Sequence, residues 1–147
     1  MTTAPFLKEK EPISYAKLIG IKASDRMELS EKVQVGFPVK AFISLSKTME
    51  LSNKQLAELV QISSRTLNRR LKEGILKADE SERLLRFSRI FTMATNLFEG
   101  DSSSAQNWLR NSNRALGGES PLEASKTEEG SREVENLINR LEHGVFS

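Results

Sequence analysis

The chain has 147 residues, 37% apolar and 29% charged, with a formal net charge of +2 and no cysteine. That length supports one or two small domains with a modest core, and the absence of thiols excludes disulfides and cysteine-held metal sites. No apolar run approaches the ~20 residues that span a bilayer and no signal-peptide pattern opens the chain, so it is read as soluble and cytoplasmic, with no membrane partner.

Residues 1 to 12 are polar, contain two prolines and lack periodicity, which predicts a flexible leader. The leader is taken to residue 24 and carries one short helical stretch, with Ile13, Ala16, Leu18 and Ile19 ending at Gly20. Asp25 to Val35 is a second helical candidate, with Met27, Leu29 and Val33 apolar. Gly36-Phe37-Pro38 punctuates the chain, and the proline suits the first turn of a helix whose stripe is Val39, Phe42, Ile43 and Leu45. Ser52 and Gln55 have capping-box spacing and open a helix carrying Leu56, Ala57 and Leu59. After Val60-Gln61-Ile62, Ser63 caps a helix from Ser64 to Glu73 that is expected to bury Leu67 and Leu71 and to end at Gly74. Two short helices joined by a three-residue turn are the signature of a helix-turn-helix.

Glu80 to Phe98 is the longest periodic segment, with Leu84, Phe87, Phe91 and Ala94 at three- and four-residue steps, stopped by Gly100. Asp101 to Ser104 can cap a helix with Ala105, Trp108 and Leu109, and Asn111 to Ser120 reads as a loop. Ser120-Pro121-Leu122-Glu123 again combines cap, proline and acid. Thr127 starts the last helix, with Glu128 and Glu129 at its positive end, Arg140 and His143 near its negative end, and Val134, Leu137, Ile138 and Leu141 as its apolar face. No strand pattern is visible, so the fold class is all-α. The divisions expected are a leader over 1–24, a helix-turn-helix domain over 25–98 and a C-terminal domain over 99–147.

Charge separates these parts. Residues 65 to 89 hold eight Lys/Arg against four Asp/Glu, a balance of +4, and residues 99 to 147 hold five against nine, a balance of −4. A basic middle followed by an acidic end suggests a polyanion-binding module ahead of a protein-binding one, with randomly signed solvated faces as the alternative. A recognition helix needs short polar and cationic side chains on its open face, because the major groove presents base edges flanked by phosphates. Ser63, Ser64, Arg65, Thr66, Asn68, Arg69, Arg70 and Lys72 supply them. Ser64, Arg65 and Asn68 share one face and suit base edges, whereas Arg69, Arg70 and Lys72 suit phosphates. The alternatives are an exposed basic helix of an ordinary bundle, or a helix-turn-helix that only dimerises.

At the C-terminal end, Trp108 reads first as a core anchor, Leu116-Gly117-Gly118 as a tight turn with unusual backbone angles, and Asn111, Asn113 and Arg114 as locally bonded loop polars. His143, the lone histidine, reads first as a charge complement at a helix end. Phe146 folding back on its own helix is the plain reading of the tail. The adjacent carboxylates Asp79-Glu80 and Glu128-Glu129 fit helix starts better than acid–base chemistry, so no enzyme, cofactor or metal site is expected.

Two runs resemble a known family. Asn107-Trp108-Leu109-Arg110-Asn111-Ser112-Asn113-Arg114-Ala115-Leu116-Gly117-Gly118, with Thr127-Glu128-Glu129-Gly130 and the end Glu142-His143-Gly144-Val145-Phe146-Ser147, resembles the toxin-binding domain of the Xre/MbcA/ParS antitoxins. Ile62 to Leu71, followed by Ser81-Glu82-Arg83-Leu84-Leu85-Arg86, resembles the Xre-like helix-turn-helix of the same antitoxins, and Gly36-Phe37-Pro38 resembles their Gly-Leu-Pro step. Ser64 stands where relatives often carry proline. The resemblance covers roughly residues 30 to 147. It implies a type II antitoxin that represses its own operon, acts as a homodimer within a hetero-oligomeric complex, and neutralises a RES-domain toxin that consumes NAD. It also implies toxin contacts at Trp108, Leu109, Arg110, Asn113, Leu116, Gly117, Gly118, Arg140 and His143, with Gly144, Val145, Phe146 and Ser147 approaching the NAD cleft. The competing expectation is a stand-alone regulator whose C-terminal domain only dimerises or serves another partner.

Overall fold

The computed structural model describes residues 12–144. Nine α-helices follow one another among these residues: α1 (Ser14–Lys17), α2 (Arg26–Val35), α3 (Val39–Thr48), α4 (Asn53–Leu59), α5 (Ser64–Glu73), α6 (Ala78–Leu97), α7 (Ser102–Arg110), α8 (Pro121–Ala124) and α9 (Glu128–Glu142), with a 3-10 turn at Arg114–Leu116 before α8. The described residues form no strand ladder; one isolated bridge joins Pro38 to Ile75. None of these helices is long and apolar enough to cross a membrane.

The caps that the sequence announces are in place. Ser52 Oγ accepts from Gln55 N while Ser52 N donates to Gln55 Oε1, closing the capping box of α4. Ser63, Asp101, Ser120 and Thr127 accept from the backbone amides of Thr66, Ser104, Glu123 and Gly130, so α5, α7, α8 and α9 each start where a short polar side chain can satisfy a free donor.

Helix α6 is the axis of the fold. It runs 20 residues, about 30 Å at 1.5 Å per residue, and packs against α1, α2, α7 and α9. Leu84, Phe87, Ile90, Phe91 and Ala94 on it are buried within one apolar cluster that also holds Phe37, Phe42 and Leu45 of the first half and Leu109, Val134 and Ile138 of the second. Gly36 makes a close approach that no other residue allows. Its φ is +99°, and a Cβ there would sit 2.2 Å from the Leu76 carbonyl oxygen. Phe37 N beside it donates to Ser81 Oγ on α6.

Two expectations need correction. Residues 13 to 23 are not a leader. Ala16, Ile19, Ile21 and Ala23 are buried, Ile13 N donates to Ala23 O to close the segment into a loop, and Ser88 Oγ of α6 donates to the Tyr15 carbonyl. The part of the expected leader before Pro12 lies outside the described residues. The inner stripe of α5 is Leu67 and Arg70, not Leu67 and Leu71. Leu71 remains 40% exposed because the inward position one turn after Leu67 is taken by a cation with a buried partner. On α2, Leu29 and Val33 are buried but Met27 points to solvent.

Candidate functional site

The first candidate surface is built on α4, its turn and α5. Gln61 in the turn has φ +59°, the left-handed conformation that reverses the chain. Its neighbours Val60 and Ile62 are buried. Arg83 of α6 holds the turn from behind, with Nε donating to Val60 O at 2.6 Å while Nη1 pairs with Asp79 at 3.2 Å. Ser63 and Thr66 bond each other through their hydroxyls at 3.0 Å, which ties both to the start of α5. Ser64, Arg65, Asn68, Arg69 and Lys72 are all exposed. Arg65, Arg69 and Lys72 form no ion pair with any described residue and follow one another at four- and three-residue steps, so the open face carries uncompensated cations beside an amide and a hydroxyl.

Arg70 is the exception, and its expected phosphate contact is withdrawn. Its guanidinium is buried and forked onto Glu80 of α6, Nε to Oε1 at 2.7 Å and Nη2 to Oε2 at 2.9 Å, with Nη1 3.2 Å from Glu73. Hydrogen bonding to Glu80 raises the Arg70 pKa against the opposing effect of burial. Burial disfavours a charged Glu80, yet the Arg70 fork and the Lys77 amide together hold its carboxyl below the usual range. The pair therefore fixes the tilt of α5 against α6 and offers nothing to a ligand.

The second candidate surface lies at the C-terminal end. Helix α7 turns Ala105 and Leu109 into the core, Leu109 with 1% exposure. Trp108 is half-buried, its ring 6.4 Å from that of Phe98. Leu109 is thus a packing residue and its expected toxin contact is withdrawn. Arg110 is also committed within the chain. Its Nη2 donates to the carbonyls of Glu50 at 3.0 Å and Met49 at 3.2 Å, and Gln106 Nε2 donates to Thr48 O at 3.2 Å. These two side chains of α7 satisfy carbonyls left open at the end of α3.

Asn113 Oδ1 accepts from Ala115 N, and Asn113 O accepts from Gly118 N, which folds the loop into the 3-10 turn. Gly117 and Gly118 adopt φ +69° and +92° and are exposed, as the sequence predicts for a turn of unusual angles. Leu116 is half-buried against the core. The 3-10 turn packs beside α9, whose inner face is Val134, Leu137 and Ile138. Arg114 of the turn with Gly117 and Gly118 after it, and Arg140 of α9 with His143 and Gly144 after it, stand in solvent. Val145, Phe146 and Ser147 lie outside the described residues. What sequence reading missed is the clamping role of Glu80, Arg83, Arg86, Gln106 and Arg110 on α6 and α7. Each has a partner ten or more residues away, which leaves no local signal. Arg86 Nη1, for example, donates to the carbonyls of Ser125 and Lys126.

Residues 28–89 match the family described as the antitoxin Xre-like helix-turn-helix domain. Residues 93–144 match the antitoxin Xre/MbcA/ParS C-terminal toxin-binding domain. The two ranges meet inside α6. The chain is 38% identical over 130 residues to Antitoxin Xre of Yersinia enterocolitica, covering 88% of each chain. It is 32% identical to Antitoxin Xre of Photorhabdus laumondii, covering 89% of each. It is also 22% identical to the Prs ADP-ribosylating antitoxin of a Sphingobium species, covering 95% of this chain and 92% of that one. An exposed cationic helix behind a capped turn, a helical C-terminal surface beyond α6 and these two matched ranges converge: the chain belongs to the Xre/MbcA/ParS antitoxin family, as a non-enzymatic, helix-turn-helix antitoxin of a toxin–antitoxin system.

Proposed function

We propose that the toxin is a RES-type enzyme that degrades NAD, that the C-terminal surface inhibits it by covering its active-site cleft, and that the helix-turn-helix binds the operator of the antitoxin's own operon. The resemblance of the run from Asn107 to Gly118 and of the chain's end carries the toxin assignment. The observation that supports occlusion is the exposed combination of Arg114, Gly117, Gly118, Arg140 and His143 on neighbouring elements. Inhibition of this kind is stoichiometric and needs no chemistry from the antitoxin. In this reading Ser64, Arg65 and Asn68 read base edges, Arg69 and Lys72 hold phosphates, and a homodimer sets two recognition helices about one helical turn apart on DNA. The domains divide within or just after α6, with the DNA-binding part before it and the toxin-binding part after it.

The name of the Sphingobium relative favours a second reading, in which the toxin uses NAD as a donor of ADP-ribose instead of destroying it. Co-expression of the full chain with the toxin frame beside its gene separates the two. Cellular NAD that collapses without the antitoxin and is preserved with it supports the first reading. Stable NAD with ADP-ribosylated protein in the antitoxin's absence supports the second. A toxin frame that neither binds the chain nor consumes NAD removes both, and the stand-alone regulator takes their place.

A further inference from the structure

We infer that the cleft where α2, α6 and α9 meet binds a phosphorylated small molecule of nucleotide size, a role independent of which toxin the chain inhibits. The cleft measures ≈ 780 Å³, within the range of about 300–1,000 Å³ typical of small-molecule sites and larger than a lone anion needs. Its wall holds five arginines and four carboxylates. Three arginines are neutralised by pairing, Arg83 with Asp79 at 3.2 Å, Arg89 with Glu135 at 3.1 Å and Arg132 with Glu128 at 3.2 Å. Arg26 and Arg86 form no ion pair with any described residue, although Glu82 and Glu128 both act on Arg86 through space. Among the described residues Arg86 hydrogen-bonds to backbone carbonyls alone, Ser125 O at 3.2 Å and Lys126 O at 3.0 Å. A carbonyl satisfies an N–H and leaves the positive charge in place. Burial lowers the Arg86 pKa, and Arg83 and Arg89 nearby add to this, against the raising effect of Glu128 and Glu82.

The same wall contains Ser131, 2% exposed, whose buried hydroxyl has no hydrogen-bond partner among the described residues. Buried polar atoms are seldom left so. Two guanidinium groups with no carboxylate partner among the described residues, and the buried Ser131 hydroxyl in the same wall, match a phosphoryl group, which accepts forked N–H donors and an O–H together. The remaining volume, with Tyr15 in its lining, suits the organic part of a phosphate ester.

The test is calorimetric titration of the full-length chain with ADP as the probe, then with pyrophosphate and with duplex DNA. ADP is expected to bind, to raise the melting temperature, and to bind more tightly than pyrophosphate. Arg26→Gln, at an exposed position that the fold does not need, and Arg86→Gln are each expected to weaken ADP at least about tenfold, the loss of one charge-assisted contact. Ser131→Ala is expected to weaken ADP while raising the melting temperature of the ligand-free protein, a combination that damage to the fold does not produce. The inference is overturned if ADP gives neither heat nor a thermal shift, if its binding survives all three substitutions, or if pyrophosphate binds as tightly. It is equally overturned if Arg26→Gln and Arg86→Gln weaken only duplex DNA, which would make the cleft a contact for the DNA backbone.

Discussion

Arg69 and Arg70 are adjacent in sequence and opposite in role, and substituting each with alanine separates the roles. The side chains of Arg70 and Glu80 are both 7% exposed, and the guanidinium gives Glu80 two of its three hydrogen bonds. Removing one member of such a pair strands a buried charge, at a cost of about 3–5 kcal/mol. At roughly 2–4 °C per kcal/mol for a chain of this size, Arg70→Ala should lower the melting temperature by about 6–20 °C. Arg69→Ala, on the open face, should stay within about 0.5 kcal/mol of the parent. It should instead reduce the slope of log affinity against log salt for DNA by about 1, one phosphate contact. The double substitution Arg70→Met with Glu80→Leu removes both charges and should recover most of the lost stability. Thermal denaturation of the four proteins and DNA titrations at several salt concentrations provide the readout. An Arg70→Ala protein that melts with the parent and binds DNA with a reduced salt slope would refute the assignment of Arg70 to the interior.

The Glu80 carboxyl titrates below its ordinary value of 4.5 in the folded chain. The unfolded chain therefore takes up this proton first as pH falls; the stabilisation is complete above about pH 4.5 and is lost as pH drops through the folded value. Denaturation followed between pH 7 and 3 should show that loss, and Glu80→Gln should flatten this part of the profile. Gly36→Ala forces a positive φ on alanine and a 2.2 Å contact with Leu76 O, so a loss of about 1–3 kcal/mol or more is expected in urea unfolding. Leu109→Ala should cost about 2–5 kcal/mol through its cavity. Arg114→Ala and Arg140→Ala should leave stability within about 0.5 kcal/mol and weaken capture of the toxin in a pull-down; unchanged capture by both would move the toxin contact elsewhere.

Much of the helix order was legible because it rests on local rules. Caps at Ser52, Ser63, Asp101, Ser120 and Thr127 satisfy donors within three residues of themselves, and the α6 stripe repeats at the helical period. The turn at Gly117 and Gly118 was equally local. Pattern alone misjudged residues where a distant partner competes for the inward position. Arg70 looked like one more cation of a basic helix until Glu80, ten residues on, turned it inward and left Leu71 outside. Arg110 belonged to a family motif until the open carbonyls of Met49 and Glu50, some sixty residues earlier, engaged it.

The sequence by itself determined the helical class, the capped turn and the family, because periodicity, caps and motif spacing are properties of neighbouring residues. Only the tertiary structure decided which cations are free to meet a ligand. A charge is free or spent according to what lies within about 4 Å of it, and in this chain the decisive neighbours are brought there by tertiary packing: Glu80 of α6 to Arg70, and the carbonyls of Met49 and Glu50 to Arg110.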